Sequence, residues 1–365
     1  MINFEIKEIQ DINNRLKIAT DAKNKNLLFK RSNNGTLIFQ TSSNTLTTTI
    51  LTDKTIDFDC RSCDFDKWYN FINVANTSTI DISFTDTDVV IKSENAKTSI
   101  AFNNAVIKEL PECKNLAFKV NGSEFKSKIN LIEHFADKKD STSFENENNK
   151  IANTLNIIGS KEHKGIKLQA LNGFTCGTTT LNIDTPIEDF NISLLNNSIS
   201  KITKQLSNDD IQISIGDNAI MIIDKQSIFT TLLLGNNFPD LKQFIKISDT
   251  DGIFSINKSE FINALNLFIA SDPKNAILCK VTNDLSMTFL KNQSQQLEIN
   301  IPINKHCDVE LEPFALNPSL AKTAINSINE DVVYINKSTK EISPIIFRTN
   351  SIIGSICTMQ TKKHD

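Results

Sequence analysis

The 365-residue sequence predicts an α+β fold of three similar domains, with short helices laid against antiparallel strands. Three observations carry that expectation. One short segment recurs, many strand-length stretches alternate in hydropathy, and each third of the chain holds a further strand–helix unit.

The recurrence is the strongest signal. Residues 118–125 read FKVNGSEF and residues 254–261 read FSINKSEF, 136 positions apart (254 − 118). Five of the eight positions are identical, and Val120 exchanges for Ile256. A looser copy, FEI at 4–6, runs into IQDINNRLKIA. The copies divide the chain into domains at 1–115, 116–248 and 249–365. The competing reading is three unrelated α+β domains with ordinary strand–helix starts.

Each copy has a physical shape. Phe118 and Val120 alternate as in a short strand, and Ser123 or Ser259 is expected to cap the helix that follows. The apolar period then lengthens. Ile9, Ile12 and Leu16 form one stripe, Phe125, Ile129 and Ile132 another, and Phe261, Leu265 and Phe268 a third.

The second kind of unit begins at IDFDCRSCDFDKWYNFI, with a helix faced by Phe65, Trp68 and Ile72. It returns at FNISLLNNSISKITKQL, faced by Ile199, Ile202 and Leu206, and at VELEPFALNPSLAKTAINSI, faced by Leu320 and Ala324. Alternating strands follow each one. Two units in each third make a pseudo-sixfold plan.

Composition narrows the function classes. Net charge is −4, from 39 Lys+Arg against 43 Asp+Glu, so a surface basic throughout is excluded while a local basic face stays open. No apolar run reaches the length of a membrane span, and no membrane partner is expected. MINFEIKEIQD does not read as a signal peptide. Seven cysteines without a framework fit a reducing compartment, and a cytoplasmic location is expected.

Motifs for catalysis are sparse. Cys60 and Cys63 form C-x-x-C without the second ligand pair of a zinc site, among acids that would oppose a redox thiolate. Structural cysteines, a redox pair and a metal site are the three readings, with the structural one favoured. His134, His163, His306 and His364 are scattered, although Cys307 and Asp308 follow His306. No phosphate-binding or nucleophile-elbow motif occurs. The chain is expected to be no enzyme, with no catalytic residue, no metal and no cofactor.

The helices carry scattered cations away from their apolar stripes. Arg15 lies off the first stripe, and Lys201 and Lys204 point away from Ile199, Ile202 and Leu206. Solvated helix faces are one reading. A shared surface that attracts phosphates without reading bases is the other.

Two loops complete the pattern. LQALNGFTCG at 168–177 carries Asn172-Gly173, a hairpin signal. FTTLLLGNNFPDLKQFI at 229–245 runs from a Leu-rich strand through Gly235 to Phe238-Pro239-Asp240. With the tail DVVYINKSTKEISPIIFRTNSIIGSICTMQTKK, these stretches resemble the bacterial DNA polymerase III beta subunits, the sliding clamps. The resemblance covers nearly the whole chain.

It implies sheets outside, helices inside and a head-to-tail homodimer closed as a ring around duplex DNA, without sequence specificity. The implied partners are a replicative DNA polymerase, a clamp loader and repair proteins that dock short peptides between the second and third domains. The implied cleft residues are Leu171, Gly173, Phe174, Thr175, Cys176, Pro239, Phe244, Met359 and Gln360. Gly173 and Pro239 match the family. Leu171 stands for its Thr, Phe174 for His, Thr175 for Arg, Cys176 for Leu and Gln360 for Pro. In this reading Phe238 anchors the cleft wall in the core, and Phe244 faces the peptide. The implied DNA-facing residues are Lys23 and Lys25 after the first helix and Lys138 and Lys139 in the matching loop. Arg15, Lys201 and Lys204 join them on helical geometry. A clamp-derived, monomeric peptide-binding scaffold is the alternative.

Overall fold

A computed structural model describes all residues except 106–109, 112, 114, 139–146, 163–164, 184–186, 236, 249–250, 291–296, 340–342 and 360–365. Among the described residues, a strand runs into a helix six times, and three further strands follow each time. The first unit is β1 (Ile2–Glu5), α1 (Ile6–Lys17), β2 (Asn26–Arg31), β3 (Thr36–Ser42) and β4 (Leu46–Thr55). The second is β5 (Cys60–Asp64), α2 (Phe65–Val74), β6 (Thr79–Phe84), β7 (Asp88–Lys92) and β8 (Lys97–Asn103). The third adds one short helix: β9 (Leu116–Asn121), α3 (Gly122–Ile132), α4 (Glu147–Ala152), β10 (Thr154–Ser160), β11 (Gly165–Leu171) and β12 (Thr175–Asn182).

The fourth comprises β13 (Phe190–Leu195), α5 (Asn196–Thr203), β14 (Asp210–Ile215), β15 (Ala219–Asp224) and β16 (Ser227–Leu232). The fifth comprises β17 (Gly252–Asn257), α6 (Lys258–Ser271), β18 (Ile277–Val281), β19 (Asp284–Phe289) and β20 (Glu298–Lys305). The sixth comprises β21 (Phe314–Leu316), α7 (Pro318–Asn326), β22 (Val332–Lys337), β23 (Ile345–Arg348) and β24 (Ile353–Ile356).

Among the described residues the strands form two sheets of 12, each in its own compact unit. The first unit is chiefly Met1–Phe125 and Ser198–Leu234. Its sheet runs β1-β6-β7-β8-β5-β2-β3-β4-β16-β15-β14-β9. The second unit is chiefly Ser143–Asn197 and Gly235–Asp365. Its sheet runs β13-β10-β11-β12-β24-β23-β22-β17-β20-β19-β18-β21. Residues 116–248 therefore supply strands to both sheets. In the first sheet β4 meets β16, with Ile50 opposite Ser227. In the second β12 meets β24, with Thr175 opposite Ile356.

Helix starts are set by short polar side chains, and the sequence expectation needs one correction. Asn257, not Ser259, caps α6: its side chain accepts from the Glu260 amide at 3.1 Å. Asn121, not Ser123, does the same for α3, accepting from the Ser123 and Glu124 amides. The asparagine is the residue still extended before the first turn, so its side-chain oxygen can reach forward to orphan amides, while the serine already lies inside the helix. Asp64 caps α2 and Asn317 caps α7, the latter followed by Pro318 in the first turn.

Five of the six apolar stripes lie in the core as expected. In α7 the buried face is Pro318, Ala321, Ala324 and Ile325, and Leu320 is only half-buried. Small residues at 321 and 324 turn that face inward, a rotation the Leu320 signal masked. In the first unit Trp68 sits at the centre of a ring cluster, 5.3 Å from Phe29 and 5.9 Å from Phe39 between centroids. Its indole N–H donates to the buried side-chain oxygen of Asn13 at 2.7 Å.

Candidate peptide-binding cleft and cationic helix face

The cleft lies within the second compact unit and begins at the β11–β12 hairpin. Gly173 has φ of +87°, the left-handed geometry the turn requires. Asn172 locks it: its side-chain oxygen accepts from the Phe174 amide at 3.1 Å, the Thr175 amide at 3.0 Å and the Thr175 hydroxyl at 3.1 Å. The turn lifts Phe174 away from the sheet, 60% exposed.

β24 then pairs along β12, and the Cys357 amide extends the ladder by donating to the Phe174 carbonyl at 2.8 Å. The two strands approach closely at Gly354, where a Cβ would sit 2.6 Å from the Cys176 carbonyl oxygen. Ser355 faces Cys176, their side chains 3.2 Å apart.

The third wall comes from the GNNFPDLKQF loop. Asp240 accepts from the Lys242 amide and opens a 3-10 turn over Leu241–Gln243. Leu241 is fully buried, so it is the anchor of this loop. Phe238, expected in the core, is only half-buried. The residue inside the hydrogen-bonded turn is better placed to point inward than one held extended before proline. Phe244 follows the turn, 41% exposed.

Together these elements enclose a cavity of about 90 Å³. From the expected set, Leu171, Gly173, Phe174, Thr175, Cys176 and Phe244 line it. Ser355 and Cys357 line it as well and were not foreseen. The alternation Ser355, Cys357, Met359 along the last strand was the signal that could have found them. Pro239 is half-buried and outside the lining. Met359 is also outside it: its amide donates to the Ala315 carbonyl at 2.8 Å, and its side chain is exposed. Gln360 lies outside the described residues.

The walls are uncharged. Burial pushes the Cys176 and Cys357 thiols above their ordinary value, so both are protonated at neutral pH. An apolar hollow with rings at its rim can receive one large apolar side chain.

The expected DNA-facing cations fall into two groups. In the first unit Arg15 donates to Asp11 at 2.9 Å and to the Ser227 hydroxyl at 2.9 Å, with Asp224 at 3.7 Å. Lys25 pairs with Asp66 at 2.6 Å, and that carboxylate raises its pKa. In the second unit Lys138 pairs with Glu133 at 2.9 Å. These three cations are locally compensated.

Lys23 and Lys204 are exposed, and Lys201 is half-buried. Lys201 lines an open depression of about 670 Å³ between α1 and α5 of the first unit. Lys17 shares it, with its ammonium 4.4 Å from the Tyr69 ring centre. Lys139 lies outside the described residues.

Other motifs separate in space. Cys60 is exposed and Cys63 buried, as their odd spacing on β5 requires, so the pair does not face one point. Burial pushes the Cys63 thiol up to about 12. His306 Nε2 lies 2.9 Å from the Ser255 hydroxyl, and its ring is tilted 5.3 Å from Tyr334. No group of His, Cys, Asp or Glu among the described residues is arranged to hold a metal.

Solved structures decide the fold. A DNA polymerase III beta subunit from Thermotoga maritima superimposes with a TM-score of 0.84 over 98% of this chain and 99% of that one, at 14% identity. The chain has the sliding-clamp fold. A DNA polymerase sliding clamp from Bacillus subtilis matches over 99% of both chains with a TM-score of 0.84, at 14% identity. A sliding clamp from Pseudomonas aeruginosa, solved bound to griselimycin, matches over 98% of this chain and 99% of that one with a TM-score of 0.85, at 11% identity. No family model and no curated protein matches the chain.

Proposed function

We propose that the protein is a polymerase processivity factor: a homodimeric ring that encircles duplex DNA and slides along it. The carrying observation is full-length similarity to sliding clamps, end to end on both chains. Six copies of one strand–helix–strands unit fit three domains, at 1–115, 116–248 and 249–365. Two such chains would close the ring by joining sheet edges, which satisfies edge-strand hydrogen bonds and leaves no open end.

The mechanism is topological. The ring catalyses nothing and reads no bases. Lys17, Lys23, Lys201 and Lys204 attract the phosphates loosely, while Arg15, Lys25 and Lys138 are held by neighbouring carboxylates. Sparse charge favours sliding over static grip, because each neutralised phosphate adds affinity and salt dependence.

The cavity behind Phe174 and Phe244 is the tether. It receives short peptides from the replicative polymerase, the clamp loader and repair proteins in the cytoplasm. The compensated cations favour a second reading, a monomeric peptide-binding scaffold of clamp descent. Mass in solution separates the two. The ring requires a dimer near 82 kDa, twice the chain's 40.9 kDa, and a monomer supports the scaffold.

A further inference from the structure

Each compact unit contains the same three-strand platform. In the first, β3, β4 and β16 align Gln40, Thr49 and Ile228 in one cross-strand row. In the second, β11, β12 and β24 align Gln169, Thr178 and Ile353. The next row is Ser42, Thr47 and Thr230 in the first unit, and Leu171, Cys176 and Ser355 in the second. The connecting segments repeat too: LPEC at 110–113 matches FPDL at 238–241 in its proline and the acid after it, and Cys113 and Leu241 are both buried. The second platform bears the candidate cleft, through Leu171, Cys176 and Ser355.

The first platform has a hollow of its own, about 220 Å³, lined on one side by Leu110 and Pro111. Ile38, Gln40, Thr49, Met221, Ile228 and Thr230 line it from the sheet. They lie on the face opposite the core, because Phe39, Ile50 and Phe229 alternate with them and are buried. Gln40 is only 7% exposed, yet its side-chain amide has no hydrogen-bond partner among the described residues. An amide buried unpaired is less stable than an apolar side chain of the same size, unless something outside the chain pairs with it. Lys30, at the β2 end of the hollow, already has a partner. The hollow therefore offers neutral chemistry: one amide with donor and acceptor side by side, the Thr49 and Thr230 hydroxyls, and the apolar surface of Met221, Ile228 and Leu110.

We infer that this hollow is a second peptide site, one that takes a segment carrying an Asn or Gln side chain. The carboxamide of that side chain pairs with Gln40: its NH₂ donates to the Gln40 oxygen, and its oxygen accepts from the Gln40 NH₂. Apolar neighbours in the peptide pack on Met221 and Ile228. That the occupant is a peptide rests on the tether reading of the second platform, whose build this one repeats. That it carries an amide rests on Gln40. Gln169 is buried as well but lies outside the lining of the cleft cavity, so the two hollows differ in what they present.

The test is a selection of random hexapeptides displayed on phage against the full-length protein, with each binder sorted on two variants. Gln40→Leu keeps most of the side chain's bulk and removes its amide, and Phe244→Ala alters the cleft. Binders of the second site should carry Asn or Gln at one position. They should lose at least about fivefold in affinity on Gln40→Leu and less than about twofold on Phe244→Ala. Replacing that peptide residue by Leu should weaken binding at least about fivefold on wild type and no further on Gln40→Leu, where the amide pair is already broken. Gln40→Leu should also unfold at the same denaturant concentration as wild type or a higher one. A lower midpoint would make Gln40 a structural residue and overturn the inference. So would a selection with no binder sensitive to Gln40→Leu. Binders sensitive to Phe244→Ala alone overturn the second site and leave the tether standing, while a selection with no binder sensitive to either variant overturns both.

Discussion

The Cys176 thiol and the Ser355 hydroxyl lie 3.2 Å apart across the β12–β24 pair, directly beneath the candidate cleft. This contact ties the floor of the cavity to the last strand of the chain. It also puts two thiols, Cys176 and Cys357, on one wall, where only Cys357 is exposed.

That exposure gives a direct probe. A thiol alkylating reagent is expected to label Cys357 and Cys60 first and to leave Cys63, Cys113, Cys176 and Cys279 unlabelled in the native state. A peptide seated in the cavity protects Cys357 but not Cys60. Mass spectrometry of digested protein reads both. Equal labelling of Cys357 with and without bound peptide would remove it from the cleft.

The Arg15 cluster makes a second prediction. Asp224 is fully buried and accepts from the Ser207 amide and hydroxyl, with Arg15 completing its surroundings. Arg15→Ala should lower stability by about 1–3 kcal/mol, because it strands a buried carboxylate. Adding Asp224→Asn should recover part of that loss. Denaturant titration measures both, and an Arg15→Ala protein as stable as wild type would show that the pair carries no weight.

The caps separate two neighbouring positions. Asn257→Ala should cost about 1 kcal/mol, because it frees the Glu260 amide at the start of α6. Ser259→Ala, inside the first turn, should change stability by no more than about 0.5 kcal/mol. Equal losses would restore the serine as the cap.

Stability should fall at alkaline pH for a traceable reason. Burial pushes the Cys63 and Cys279 thiols from 9.0 to about 12. The folded pKa exceeds the unfolded one, so the unfolded chain loses protons first. The contribution is complete below pH 9 and is lost between about 9 and 12. Within that window each thiol steepens the decline by up to about 1.4 kcal/mol per pH unit. Melts of wild type and Cys279→Ala under reducing conditions should show the shallower slope in the variant. Parallel slopes would assign the decline to other groups.

Much of the fold was legible because it repeats. The same asparagine-bearing segment and the same apolar periods recur, so each copy supports the reading of the others. The hairpin at Asn172-Gly173 was legible because one residue must take positive φ. What escaped depends on long-range packing. The half-burial of Phe238, the anchoring role of Leu241 and the entry of Ser355 and Cys357 into the cavity follow from how a distant loop and the last strand meet the hairpin. Charge pairing escaped for the same reason, since Arg15 and Asp224 are more than half the chain apart. The helix period set the side of α1 on which Arg15 lies but could not name its partner.

The central claim is topological and is tested most directly by DNA retention. The protein, incubated with nicked circular DNA, ATP and a bacterial clamp loader, is passed over a sizing column before and after the circle is cut. The account predicts that a species of dimer mass stays with the circle and is lost once the DNA has free ends. Equal retention on circular and linear DNA, or a monomer that remains on neither, would contradict it.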